Sequence, residues 1–283
     1  MNIIDRYLDN VQNLPPAPTV AVQLLELFSD PDRDIDRIVK LIKYDPSLTA
    51  ATLQRCNSGY FQGTNPAEDM FEAVSRLGLY EIYTIVIGLL ASRTMREVRS
   101  KYTWNATQLW RHSVTTAVAA SVLGRRVQVM DSVAFTAGLL HDIGKLIFVS
   151  LEGVIYAEML HNTRRTGPEL TAFEEKTIGF SHAALGGRLL ARWGLPASIC
   201  LAVQLHHQSP ALAGEHKRLA ATVNFANSLA HQLMADSVGA SPAVEACPEA
   251  MALVELTPKE VPAVVQEVNR ALERVSSLLQ MQV

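Results

Sequence analysis

Residues 139–148, LLHDIGKLIF, set His141, Asp142 and Lys145 inside an otherwise apolar run. A stretch this apolar reads as core. A charge carried into a core is costly unless it is paired or bound to a metal. Whatever fold the chain adopts must therefore bury this segment and answer its charges together. The residues alone leave three answers open: a metal site, a salt bridge, or the remains of a site.

Elsewhere the apolar residues recur at helical steps. In PTVAVQLLELFSD, Val22, Leu24, Leu25 and Phe28 share one side of a helix. Asp34 is expected to cap IDRIVKLIKY. Asp45 followed by Pro46 is expected to open the next helix, because proline at a first helical position lacks only an amide that would be unpaired anyway. That helix stops near NSGY, and GYFQGTNPAED is a loop rich in Gly, Asn and Pro. Helices resume in EDMFEAVSRLG and YEIYTIVIGLLASRTM. The polar stretch around 97–104, EVRSKYTW, is the expected boundary between two halves.

Beyond it, TQLWRHSVTTAVAASVLGRRV is a long helix, and SVAFTAGLLHDIGKLIFVSL reads as one helical segment. VIYAEMLHNTRRT, TAFEEKTIG, HAALGGRLLARWG, PASICLAVQLHH and HKRLAATVNFANSLAHQLM follow as further helices. Residues 236–256 are expected to be a loop or short insertion. A last helix carries Val264, Val268, Leu272, Val275 and Leu279 at helical spacing, to pack on its own domain or on a second copy. No strand alternation and no tandem repeat is visible. The expected fold class is all-α.

Length admits one or two domains. The net charge of −3, with 19% charged and 48% hydrophobic residues, argues against bulk attraction to nucleic acid or to an anionic membrane. Cys56, Cys200 and Cys247 are scattered and form no CxxC pair, as expected of reduced thiols in the cytoplasm. The start, MNIIDRYLDN, has acidic residues where a signal peptide would be basic and then apolar. The apolar stretch at 82–90, IYTIVIGLL, is far short of the roughly 20 residues of a membrane span and reads as a core helix.

The chemistry lies in a set of residues. His112 is in LWRHSV, His141 and Asp142 in LLHDIGK, His182 in FSHAALG, and His206 and His207 end VQLHHQSP. Each lies on a helix, or at a helix end, with a strong apolar face. Packed together, these helices can direct imidazoles and a carboxylate into one pocket. Such donors suit zinc, iron, manganese or nickel, as one or two divalent ions. Two ions would clamp a phosphate and lower the pKa of a bound water. Lys145, one turn on from His141, is placed to hold a phosphoryl oxygen.

Taken singly, each residue has a plainer reading. Asp142 and Lys145 can pair across one turn. His206 and His207 gain from a helix C-terminus without any metal. Ser181 can simply cap the helix that begins at His182. His161, His216 and His231 lie outside the set and receive no role. Arg111 and Arg188 read as solvated arginines.

The spacing H…HD…H…HH resembles the HD phosphohydrolase superfamily. The segments LPPAPTVAVQLLELFSDPDRDIDRIVKLIKYDPSLTAATLQRCNSGYF, FEAVSRLGLYEI, LWRHS, GLLHDIGKL and FSHAALGGRLLARWGLP are similar to those of its HDOD branch, over roughly residues 12–235. The resemblance implies an N-terminal helical part, residues 1–100, packed on an HD-like helical core, residues 101–235, with a loop and C-terminal helix at 236–283. It also implies a role in bacterial signal transduction and regulation. HD hydrolases close the metal shell with an aspartate on a late helix. The corresponding residue here is Asn227, a weaker ligand that contributes no charge. The branch that cleaves cyclic di-GMP carries a Gly-Tyr-Pro loop and a glutamate after its paired histidines, whereas this chain has Gln208 and no such loop.

Three functions follow as expectations. The first is a signalling or regulatory protein acting through a protein partner or small ligand, with a metal site retained on His112, His141, Asp142, His182, His206, His207 and Asn227. The second is a metal-dependent phosphohydrolase acting on a nucleotide or phosphodiester, with Lys145 stabilising the charge that develops on phosphorus-bound oxygen. The third is a sensor of metal or ligand.

Overall fold

The computed structural model describes residues 3–9, 20, 23, 27, 35–58, 61, 63–78, 81, 82, 85, 106–163, 168–238 and 247–279. Within these, the side chains of 35, 106–107, 153–155, 157–163, 168–169, 235–238 and 276–279 are outside the description. The expected boundary at 97–104 therefore lies outside the described residues, as do Asp34, Val22, Leu24, Leu25 and Phe28. No strand occurs among the described residues, and the fold is all-α.

The N-terminal part comprises α1 (Ile3–Leu8), α2 (Ile35–Lys43), α3 (Pro46–Cys56) and α4, residues 70–78. Asp45 caps α3 as its sequence implies: its Oδ1 accepts from the Leu48 amide at 2.9 Å, with Pro46 in the first turn. At the other end of α3, the Asn57 side chain accepts from the Ala67 amide at 2.6 Å and donates to the Gly194 carbonyl at 3.3 Å. The second bond crosses to the other half of the chain. So does the Trp110 indole, which donates to the Tyr44 carbonyl at 2.8 Å, and the Tyr44 ring meets Phe135 edge-on at 5.4 Å. The N-terminal helices are thus packed on the core by buried apolar contacts and by hydrogen bonds that the apolar setting makes costly to break.

The core comprises α5 (Ala106–Gly124), α6 (Asp131–Leu140), α7 (Ile143–Thr163), α8 (Pro168–Ile178), α9 (His182–Arg192), α10 (Ala197–Gln204) and α11 (Lys217–Val238). Helices α5 and α6 pack closely, because Gly138 leaves no Cβ to meet Ala120 and the Thr116 carbonyl. One buried apolar cluster runs from Leu8 in the N-terminal part through Val118 and Phe148 to Val268 in the last helix.

Three expectations are corrected. SVAFTAGLLHDIGKLIFVSL is not one helix: α6 ends at Leu140, residues 141 and 142 form a turn, and α7 begins at Ile143. The helix then continues past 150 through a kink at Glu152 (φ −122, ψ 28), joining two segments that the sequence separates. The 236–256 region is not wholly a loop, since α11 reaches Val238 and α12 spans Pro248–Leu253. Of the apolar stretch at 82–90, only residues 82 and 85 are described. Among the described residues, Asp131–Glu152 is long and apolar enough by length and composition, yet 83% of its 18-residue apolar window is buried inside the fold. The last helix, α13 (Val261–Leu279), buries Val264, Val268, Leu272 and Val275 in the chain's own core, and so packs on its own domain.

Candidate metal centre

The break between α6 and α7 builds the site. On a continuous helix, adjacent side chains diverge by about 100°. At the turn, His141 and Asp142 both enter the protein centre and are buried. Gly144 permits the approach of α9 from the other side, since a Cβ there would lie 2.0 Å from the His182 carbonyl oxygen. Ser181 caps α9 by accepting from the Ala184 amide at 3.3 Å, which places His182 at the first helical position, inside the core.

His206 and His207 lie in the turn that follows α10. Asn224 of α11 straps this turn, donating to the carbonyls of His206 at 3.0 Å and Gln208 at 3.3 Å. Asn227 and His231 sit on the same face of α11, at helical spacing from Asn224. His112 comes from the middle of α5.

Asp142 is the hub. Its Oδ2 lies 2.7 Å from Lys145 Nζ, 3.4 Å from His141 Nε2 and 3.8 Å from His112 Nε2. Its Oδ1 lies 3.3 Å from His182 Nε2 and 3.6 Å from His206 Nε2. Lys145 thus makes the one-turn pairing that its spacing allowed. Two donor groups share the carboxylate: Asp142, His182, His206 and His207, and separately His112, His141 and Asp142, with the ligand atoms of each group within 4.8 Å of one another. Asn227 Oδ1 lies 2.9 Å from His112 Nε2, so every residue singled out from the sequence converges on this centre.

The ring nitrogens are oriented from behind. His141 Nδ1 donates to the Gly138 carbonyl at 2.7 Å and His206 Nδ1 to the Val203 carbonyl at 2.6 Å. His182 Nδ1 donates to Glu174 at 2.7 Å. A ring that donates through Nδ1 presents a lone pair at Nε2 while neutral, which is the form that binds a metal. Burial, reinforced by neighbouring histidines, holds His112 and His207 well below the usual histidine range, and His206 is pushed down to about 3. Burial alone would raise Asp142, but the neighbouring His141 and Lys145 outweigh it and hold the carboxyl well below its usual range. His182 moves the other way. Burial and Lys145 push it down, while Glu174 and Asp142 pull it above its ordinary value.

Asp142 Oδ1 and His206 Nε2 are buried without a hydrogen-bond partner. An ionised carboxylate oxygen and a neutral imidazole lone pair are both acceptors, and at 3.6 Å neither can satisfy the other. A cation satisfies both. The donor set and these orphaned atoms therefore fit a divalent transition-metal ion.

Three neighbours carry no role in the sequence reading. Glu174 is fully buried and accepts from His182 Nδ1, from the His182 amide at 2.8 Å and from the Tyr156 hydroxyl at 2.6 Å. Its eight-residue separation from His182 makes no local motif. Asn224 is the strap on α11. His231, read as outside the set, has its ring 4.4 Å from that of His112 and is pushed down to about 4, chiefly by burial. Its position one turn after Asn227 was the available signal. Among the remaining histidines, His216 pairs weakly with Glu215 at 3.7 Å, and the side chain of His161 is outside the described residues. Arg188 is exposed but not simply solvated: its guanidinium donates to both carboxylate oxygens of Asp5, at 2.8 and 3.1 Å.

The HDOD domain family matches residues 14–209. An uncharacterised protein of Treponema pallidum (strain Nichols) is 29% identical over 223 residues, which is 77% of this chain and 42% of that protein. The chain therefore spans less than half the length of that relative. A ribonuclease Y of Opitutus terrae is 28% identical over 137 residues, 48% of this chain and 20% of that protein. The crystal structure of the MmoQ response regulator from Methylococcus capsulatus str. Bath superposes with a TM-score of 0.72 at 25% identity, covering 90% of this chain and 98% of that one. With the family matched across most of its length, the chain belongs to the HDOD domain family.

Proposed function

We propose that the chain is a signalling or regulatory module that carries a bound divalent transition-metal ion and acts through contacts with a partner protein or a small ligand, without turning over a phosphoester. The observation that carries this reading is the pairing of Asn227 Oδ1 with His112 Nε2 at 2.9 Å. Where a carboxylate would add charge to hold and balance a second ion, a neutral amide makes a hydrogen bond. Membership of the HDOD family and the likeness to a protein described as a response regulator support the same reading. Iron, zinc, manganese and nickel all suit the imidazole-rich donors. A reducing, cytoplasmic setting agrees with free Cys56 and Cys200, both buried.

The second reading, a metal-dependent phosphohydrolase, draws on the intact histidine set around Asp142 and on the partial likeness to a ribonuclease. In that case Lys145 would leave Asp142 to meet a phosphoryl oxygen.

The test is metal content by mass spectrometry, on chain purified without chelator, beside hydrolysis of bis(p-nitrophenyl) phosphate by the same sample. Bound metal with hydrolysis no faster than the free ion supports the signalling reading. Turnover that scales with bound metal and vanishes in His141→Ala replaces it with the hydrolase. A folded chain that takes up no metal removes the bound ion from both.

A further inference from the structure

We infer that the pocket is built for a single ion, held by Asp142 Oδ1, His182, His206 and His207, while His112, His141 and Asn227 form a hydrogen-bonded clasp that needs none. This rests on the metal-bearing reading above and goes beyond it, by saying how many ions are held and on which donors.

His141 donates through Nδ1 to the Gly138 carbonyl, so its Nε2 is an acceptor. His112 Nε2 lies 3.2 Å from that acceptor and 2.9 Å from Asn227 Oδ1. One proton on His112 Nε2 serves both. The clasp is then closed, and the His112 nitrogen that faces the centre has no lone pair to offer.

The Oδ2 side of Asp142 is answered as well. The Lys145 ammonium lies 2.7 Å from Oδ2, so a cation already stands where a second ion would share that oxygen. Two cations on one oxygen repel, most strongly where water is excluded.

The other side is not closed. His182 and His206 both donate backwards, to Glu174 and to the Val203 carbonyl, and both turn Nε2 towards Asp142 Oδ1. His207 Nε2 lies 3.2 Å from His182 Nε2, and one proton between them serves that pair alone. Asp142 Oδ1 and His206 Nε2 remain without partners, and both belong to this group. The unmet acceptors of the centre thus fall on one side of the carboxylate. Three imidazoles and one carboxylate there supply the four donors of a tetrahedral ion.

The experiment uses the full chain, saturated with zinc, desalted and measured by mass spectrometry for zinc per chain, with helical circular dichroism recorded for each variant. The wild type is expected to hold one zinc. His206→Ala and His207→Ala are expected to lose it, and His112→Ala to keep it. His207 is only half-buried, so its replacement tests the site even if His206→Ala fails to fold. Two zinc ions in the wild type, or equal loss in His112→Ala and His207→Ala, would each overturn the inference. A folded wild type with no zinc overturns the metal-bearing reading itself, and is told apart by the wild-type value alone.

Discussion

The carboxylate of Glu174 lies 2.7 Å from Nδ1 of His182 while accepting, through its other oxygen, the hydroxyl of Tyr156 at 2.6 Å. Both bonds are buried, so neither is screened by water. The pair fixes the plane and tautomer of His182 from behind, leaving Nε2 for the centre. Carboxylates in this position typically contribute about 10–100-fold to metal affinity. Glu174→Gln should therefore weaken zinc binding by roughly that factor, measured by competition with a chromophoric chelator. Tyr156→Phe removes only the outer bond and should cost less. If Glu174→Gln binds zinc as tightly as the wild type, Glu174 is an element of the core and not a support of the site.

Gly144 sets the distance between α7 and α9. An added methyl would lie 2.0 Å from the His182 carbonyl oxygen, which is backbone and cannot swing aside. Overpacking of this kind costs about 1–3 kcal/mol or more. Gly78 makes the comparison. Its φ of +74 strains any side chain, but a Cβ there meets nothing within 4 Å. In urea titrations, Gly144→Ala should destabilise more than Gly78→Ala, and only Gly144→Ala should also lower zinc binding. Equal losses in both would mean that the α7–α9 approach does not govern the site.

Much of this was legible because the informative residues are rare in apolar helices. Histidines and an aspartate set among Leu, Val and Ala stand out, and the geometry brings all of them to one carboxylate. Caps were legible for a local reason: Asp45 and Ser181 bond to amides only three residues away. The break at His141–Asp142 was not, because no proline or glycine lies between Gly138 and Gly144 and both flanks are apolar. That turn is where the chain brings a buried carboxylate to its partners on other helices, a demand that no local pattern records. Glu174 was hidden for a similar reason. It sits in FEEK, a run that looks solvated, and only packing against Tyr156 and His182 turns it inward. His231 was hidden by being weighed alone, when its meaning lies in the face it shares with Asn224 and Asn227.

The cysteines should report the packing directly. Cys56 and Cys200 are buried and Cys247 is half-buried. Burial raises the Cys56 thiol and pushes Cys200 up to about 11, so little of either is thiolate at neutral pH. Native protein should therefore show one thiol that reacts promptly with a disulfide dye and two that react only on unfolding. Prompt reaction of Cys200 would mean that the contact of α10 with its neighbours opens readily.

Removing the ion should cost stability, and the cost should depend on concentration. An ion that binds only the folded chain stabilises it by RT ln(1 + [L]/Kd), about 2.7 kcal/mol at a free concentration one hundred times Kd. For a chain of this size that is roughly 4–5 °C in Tm. Chelation should lower the wild-type Tm by about that much, and added zinc should restore it, with a shift that grows with the logarithm of free zinc. His207→Ala should respond to neither, because the donors it leaves do not complete the four-ligand group. The apo chain should still fold, since the clasp on His112 and the Lys145–Asp142 pair already answer one side of the centre. A chain that unfolds outright on chelation would show that those bonds are too weak to stand in for the ion.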